Sequence, residues 1–131
     1  MGKYINEYLS VFTQKSEYIK NEVNKSVKYW LPDNSPTILL FSLVGKALVN
    51  QLDFLRESDK LEFFQHIETG MLSDNSDLST AVATGIVEGL VTASDEDESM
   101  WKKIESYLHT ESKSMHYRGN FLGINKIMLL L

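Results

Sequence analysis

The sequence predicts an all-α domain of five to seven helices packed as antiparallel pairs, in a bundle or a short HEAT-like stack. Three observations predict it. Apolar residues recur at the three-to-four-residue spacing of one buried helix face along most of the chain. Strand-type alternation is scarce. Breakers such as Pro32, Pro36, Gly70 and the polar runs at 73–77 and 94–99 cut the chain into helix-sized pieces. At 131 residues and 43% hydrophobic, the chain fits a single domain, residues 1–131, with enough apolar surface for a core.

The first segment carries Tyr4, Tyr8, Val11/Phe12, then Tyr18, Ile19, Val23, Val27 and Trp30/Leu31 on one face. It reads as one helix or two, with Thr13 or Ser16 able to start the second. Pro32-Asp33-Asn34-Ser35-Pro36 stops the chain and turns it. Ser35 is placed to cap the next helix, with Pro36 at its first position, where the missing N–H costs little. The run Ile38–Val49 is apolar nearly all round, as a central bundle helix is. It is too short for a membrane span and ends in Asn50-Gln51.

Ser58 is expected to cap the following helix, whose stripe reads Leu61, Phe64, Ile67/Glu68 and Met71. Gly70 and Ser73-Asp74-Asn75 close it, and Ser76 or Asp77 opens the next, with Leu78, Ala81, Val82, Gly85, Ile86, Gly89 and Leu90. Ala81, Gly85 and Gly89 recur every fourth residue. Each interior glycine costs a helix about 1 kcal/mol against alanine, so the repeat predicts a second backbone packed close against that face. Ser94–Ser99 is a charged loop, and Met100, Trp101, Ile104 and Leu108 form a short last helix. Beyond Thr110 the pattern weakens, and the tail Ile127–Leu131 is apolar enough to require cover by the body or by a partner.

Charge is unevenly distributed. Residues 1–52 carry six lysines against four acids; residues 53–98 carry twelve acids against Arg56 and Lys60; residues 99–131 carry five bases against two acids, for a net −5. An acidic middle repels nucleic acid, whose affinity for proteins rests on phosphate contacts, and attracts basic proteins. No cysteine is present, which removes disulfides and thiolate metal sites and fits a reducing compartment. Polar Asn6, Glu7, Ser10 and Gln14 interrupt any secretory signal, and Asn6 stands where a myristoylation motif needs Ser or Thr. A cytoplasmic location is expected.

Motifs that carry chemistry are thin. His66 and Glu68 are two apart and diverge on a helix, and His109 and His116 are seven apart, so neither spacing makes a metal pair. No P-loop, G-x-S-x-G or G-x-G-x-x-G occurs. Carboxylates are abundant, but acid–base work needs one raised by apolar burial. No catalytic residue, metal ligand or cofactor is expected, and the protein reads as a non-enzyme.

The stretch Phe63–Leu72, followed by Asp77 and Val82–Leu90, resembles small all-helical bacterial immunity proteins of the contact-dependent growth inhibition and polymorphic toxin type. The shared features are an F-x-x-I-E helix (Phe64 to Glu68), a polar turn, and a helix with G-hydrophobic-hydrophobic-E-x-L (Gly85 to Leu90). The resemblance spans roughly residues 35–108. It implies a helical protein that binds and neutralises a cognate toxin, and it singles out Glu68 and Glu88. A nuclease toxin is expected because such enzymes hold nucleic acid on basic surfaces that an acidic decoy can cover. On this reading Asp74, Asp77, Asp95, Glu96, Asp97 and Glu98 meet the toxin's lysines and arginines. Trp101 is either an anchor in that interface or a core residue of its helix. For Glu68 and Glu88, caps or inter-helix hydrogen bonds are the stronger reading over partner contacts. The alternative is a helical adaptor or regulatory subunit whose acidity serves solubility alone.

Overall fold

The computed structural model describes residues 3–95 and 97–108. Glu96, His109, His116 and the apolar tail lie outside the described residues. Within them the chain is helical, without strands: α1 (Lys3–Lys15), α2 (Glu17–Trp30), α3 (Thr37–Gln51) with a 3-10 turn (Leu52–Phe54), α4 (Glu57–Met71), α5 (Ser76–Ala81), a π segment (Val82–Val87), α6 (Glu88–Ala93) and α7 (Glu98–Tyr107). α5, the π segment and α6 run on without a break, so six helical rods pack together.

Ser16 makes the first segment two helices. Its hydroxyl, buried, accepts from the Ile19 amide at 3.1 Å and caps α2. Ser16→Ala removes that acceptor and is expected to cost about 1 kcal/mol, read as a lower urea midpoint with unchanged slope. Two expected caps are replaced. Ser35 is buried and shares a hydrogen bond with Ser26 at 2.8 Å, pinning the α2–α3 loop while α3 starts without a side-chain cap. Ser58 lies inside the first turn of α4, which begins one residue earlier after an extended Arg56. α5 is capped by Asn75, which the sequence reading places at the close of the preceding helix with Ser76 or Asp77 opening the next, and α7 is capped by Asp97.

The core follows from this order. α3 lies at the centre, with Leu40, Phe41, Val44 and Leu48 buried. The stretch Thr37–Phe54 is long and apolar enough to cross a membrane by composition, but here it is wrapped by α2, the π segment and α6. α2 runs antiparallel to α3, as the Tyr18–Asn50 and Ser26–Ser35 hydrogen bonds fix. α1 runs antiparallel to α4, with Tyr8 against His66, Phe12 against Phe63, and Lys15 3.4 Å from Glu62. Leu61, expected in the α4 stripe, is 54% exposed, and Phe63 is buried in its stead.

The central pair departs from the antiparallel pattern. α3 and the Ser76–Ala93 rod run parallel and cross at glycines. A Cβ on Gly85 would meet Phe41 Cβ, one on Gly89 the Ser42 carbonyl, and one on Gly45 the Ile86 carbonyl. The small-residue repeat therefore has the meaning its spacing predicts: backbone lies on backbone. Gly45 is the partner glycine across the crossing, and the π segment falls at that contact.

Candidate functional site

The direction of the rods decides which surfaces meet. The N-termini of α1, α3 and α5 and the C-termini of α2 and α4 share one end of the bundle. Among the described residues, seven of the nine exposed large hydrophobics lie there: Tyr4, Val27, Tyr29, Leu31, Ile38, Leu39 and Leu72. Phe54 and Leu61 are elsewhere. Isolated exposed apolar side chains are ordinary, whereas their concentration on one end makes that end a candidate contact surface.

Two grooves open on this end. One, of ≈640 Å³, lies between α1 and the α4–α5 turn and is lined by Tyr4, Glu7, Tyr8, His66, Leu72 and Asp74 among others. The other, of ≈550 Å³, lies between α1, α3 and α5, with Tyr4, Ile5, Thr37, Ile38, Asp77 and Thr80. Tyr4 borders both. Asp74 and Asp77 are exposed, and neither forms an ion pair with a described residue. Glu7 is only loosely engaged, 3.9 Å from Lys3. The polar turn between α4 and α5 thus presents uncompensated carboxylates beside apolar walls.

The floor of the first groove is a reciprocal clamp between α1 and α4. Tyr8 donates its hydroxyl proton to the His66 carbonyl at 2.9 Å, and His66 Nε2 bonds the Tyr8 carbonyl at 2.9 Å. The rings stack 4.0 Å apart at 19°. Gly70 makes room for the tyrosine, since a Cβ there would fall 2.5 Å from its hydroxyl oxygen. Burial pushes the Tyr8 hydroxyl far above its ordinary range. Burial also lowers the His66 imidazole, against the opposing pull of the Tyr8 carbonyl and Glu62.

The remaining expected site residues lie elsewhere. Asp95, Asp97 and Glu98 sit at the α6–α7 junction, the far end of the Ser76–Ala93 rod from Asp74 and Asp77. At about 1.5 Å per residue the two groups are ~25 Å apart. They form two surfaces, not one patch. Asp97 caps α7: the Met100 amide at 3.0 Å and the Ser99 hydroxyl at 2.9 Å hold its carboxyl below the usual range. Trp101 is half-buried and packs against the core. Other acids of the central third are engaged internally: Asp53 with Lys103 at 3.1 Å, Asp59 with Arg56 at 3.2 Å, Glu62 with Lys15, and Glu57 with the Tyr107 hydroxyl at 2.8 Å.

Glu68 is buried on α4 and Glu88 half-buried where the π segment meets α6. Neither lines the grooves. Glu88 Oε1 is buried without a hydrogen bond to any described residue, and burial raises its carboxyl above the ordinary value of 4.5. A raised carboxylate favours the protonated fold, so its contribution is complete below about 4.5 and lost as pH rises through the folded value. Glu88→Gln is therefore expected to raise the melting temperature at pH 7.5 and to change little at pH 4, as thermal unfolding at the two pH values will read. Among the described residues no three His, Cys, Asp or Glu side chains gather as a metal site.

Tyr4, Glu7, Leu72 and Ile38 were missed by sequence reasoning as groove residues. Tyr4 falls on the apolar face of its helix by spacing and Ile38 in the apolar run of α3, yet both are about half exposed, because periodicity does not reveal where a helix overhangs its neighbours. No protein-family model, no curated protein and no solved structure matches the chain.

Proposed function

We propose that this protein is an inhibitor of the immunity-protein kind, which binds a cognate bacterial toxin and neutralises it by laying an acidic surface over a basic active site, with a nuclease as the expected target. The observation that carries the reading is the pairing of Asp74 and Asp77, exposed and without ion-pair partners among the described residues, with grooves whose apolar walls are Tyr4, Leu72 and Ile38. Stable interfaces combine apolar or aromatic anchors with a charged rim that selects the partner and steers its approach. A nucleic-acid-cleaving toxin offers the complementary half, a cationic cleft built for phosphates. The F-x-x-I-E and G-x-x-E-x-L segments support the same reading by resemblance. Their glutamates are assigned a structural part, because both lie away from the grooves.

Under this reading the distal Asp95, Asp97 and Glu98 contribute long-range attraction and no direct contact. The α4–α5 turn and Tyr4 hold the partner. The test is co-expression with the C-terminal domain encoded by the adjacent upstream reading frame. Protection of growth, together with a stable complex of the purified pair, is the expected result. A chain that neither protects nor binds that domain rejects the proposal.

A further inference from the structure

The apolar run at 127–131 is a feature of the sequence that the inhibitor reading leaves unused. Its five consecutive large apolar side chains are driven out of water onto some surface. The chain leading to them is basic. Beyond residue 108, Lys113, Arg118 and Lys126 stand against Glu111 alone, with Lys126 directly before the run. The surface that suits this segment is concave and apolar, with carboxylates at its edge and no cation of its own.

Charge separates the surfaces that expose large apolar groups. At the C-terminal end of α2, Tyr29 and Leu31 lie near Lys25 and Lys28, and the acid of the adjoining ≈380 Å³ hollow, Glu22, is already held by Lys25 at 2.9 Å. Phe54 and Leu61 follow or precede acids that are also engaged, Asp53 with Lys103 at 3.1 Å and Glu62 with Lys15 at 3.4 Å. The ≈640 Å³ groove between α1 and the α4–α5 turn differs. Its walls include Tyr4, 52% exposed, and Leu72, 62% exposed, and its acids are Glu7 and Asp74. No lysine or arginine is among the described residues that line it, and Asp74 has no ion-pair partner among the described residues. Asp77, across Tyr4 in the second groove, adds to the same negative field.

Distance permits the contact. The Tyr107 hydroxyl bonds Glu57 at 2.8 Å, so α7 ends beside the first turn of α4, and Leu72 lies ~22 Å away along that helix. Residues 109–126 span up to ~60 Å if extended and ~27 Å even if wound as helix. A tether of this length holds its end at an effective concentration on the order of millimolar. In dilute protein that favours the chain's own segment over a second copy.

We propose that residues 126–131 occupy the first groove of their own chain, with the apolar side chains against Tyr4 and Leu72 and the Lys126 ammonium at the Asp74 carboxylate. The seating is a property of the free protein. If the same groove receives the toxin, a consequence that rests on the inhibitor reading, the toxin must displace the segment, which then acts as a built-in competitor.

The test needs no toxin, so its failure is separate from that of the inhibitor reading. The chain has no cysteine, so a single introduced thiol carries a nitroxide cleanly. On Thr69→Cys, an exposed position on the groove wall, the nitroxide is expected to erase the backbone and methyl signals of residues 126–131 in dilute full-length protein, and its reduction to restore them. On Glu98→Cys, at the far end of the Ser76–Ala93 rod, it should leave them visible. Leu129→Asp/Leu130→Asp, which alters no residue of the helical body, should bring the signals back with the Thr69→Cys label still in place. Signals that persist beside the Thr69→Cys label overturn the proposal, as does equal loss from the Glu98→Cys label or continued loss in the aspartate variant. Loss in an isotope-labelled chain without nitroxide, mixed with an unlabelled chain that carries it, assigns the groove to a second copy and overturns the proposal as well.

Discussion

Gly89→Ala is expected to lower the stability of the protein by about 2 kcal/mol or more, the range for overpacking a tight core, with Gly45→Ala close behind. The sign is the informative part. Gly89 lies in α6, where alanine is the better helix former by roughly 1 kcal/mol, so a helix judged on propensity alone would gain from the change. Packing opposes it. The new methyl would sit on the Ser42 carbonyl, and at Gly45 it would sit on the Ile86 carbonyl. Backbone cannot turn aside as a flexible side chain can, so α3 and the Ser76–Ala93 rod must separate along their shared contact. Phe41, Val44 and Ile86, all fully buried beside it, lose packing with them. At roughly 4 °C per kcal/mol for a chain of this size, the melting temperature should fall by about 8 °C. The Gly45→Ala/Gly89→Ala double variant should cost less than the two losses combined, because one separation of the rods accommodates both methyls. Thermal unfolding by circular dichroism decides it, and an unchanged or raised melting temperature for Gly89→Ala refutes the crossing.

That crossing was legible in the sequence, and the reason is instructive. Two interior glycines four residues apart are locally unfavourable, so their presence in an otherwise helical pattern demands a tertiary cause. Helix existence was legible on the same footing, through apolar spacing and breakers. Caps were less so. Ser35 and Ser58 are good N-cap residues by type, but the first is drawn into a loop by Ser26 and the second is overrun by a helix that begins one residue earlier. The parallel course of α3 and the Ser76–Ala93 rod was not legible, because it depends on α4 returning the chain, and local patterns do not encode direction.

The candidate site was half legible. The excess of acids in the central third is a matter of composition, and Asp74 and Asp77 stand out in the sequence only as members of that excess. Their separation from Asp95, Asp97 and Glu98 follows from the length of the rod between them, which the sequence contains but which matters only once the rod is known to be unbroken through its π segment. The pairing of Asp53, Asp59 and Glu62 with Lys103, Arg56 and Lys15 joins positions close and distant in sequence, and the distant pairs escape any local reading. The Tyr8–His66 clamp escaped for the same reason: its partners lie 58 positions apart.

Under the inhibitor reading proposed above, Asp74→Lys/Asp77→Lys should slow association with a basic toxin by one to two orders of magnitude at low salt, roughly the span that steering adds to an unsteered encounter. The double change converts two negative charges at the groove rims into two positive ones, and a basic partner then meets repulsion where it met attraction. The fold should tolerate it. Both side chains are exposed and unpaired with described bases, and the reversal at the first turn of α5 costs about 0.5 kcal/mol against the helix dipole. Salt separates steering from damage. At 1 M the screening length is about 3 Å, so wild type and variant should converge in association rate, whereas a variant crippled by misfolding would stay slow at every ionic strength. Glu98→Lys, exposed at the far end of the rod, should slow association by less than about threefold, since most of its ~25 Å distance from the turn lies beyond the screening length in physiological salt. Rates measured by stopped flow across that salt series test the surface directly. Equal effects of the two ends would reject the α4–α5 turn as the docking site, because electrostatic attraction must weaken with distance from the place where the partner lands.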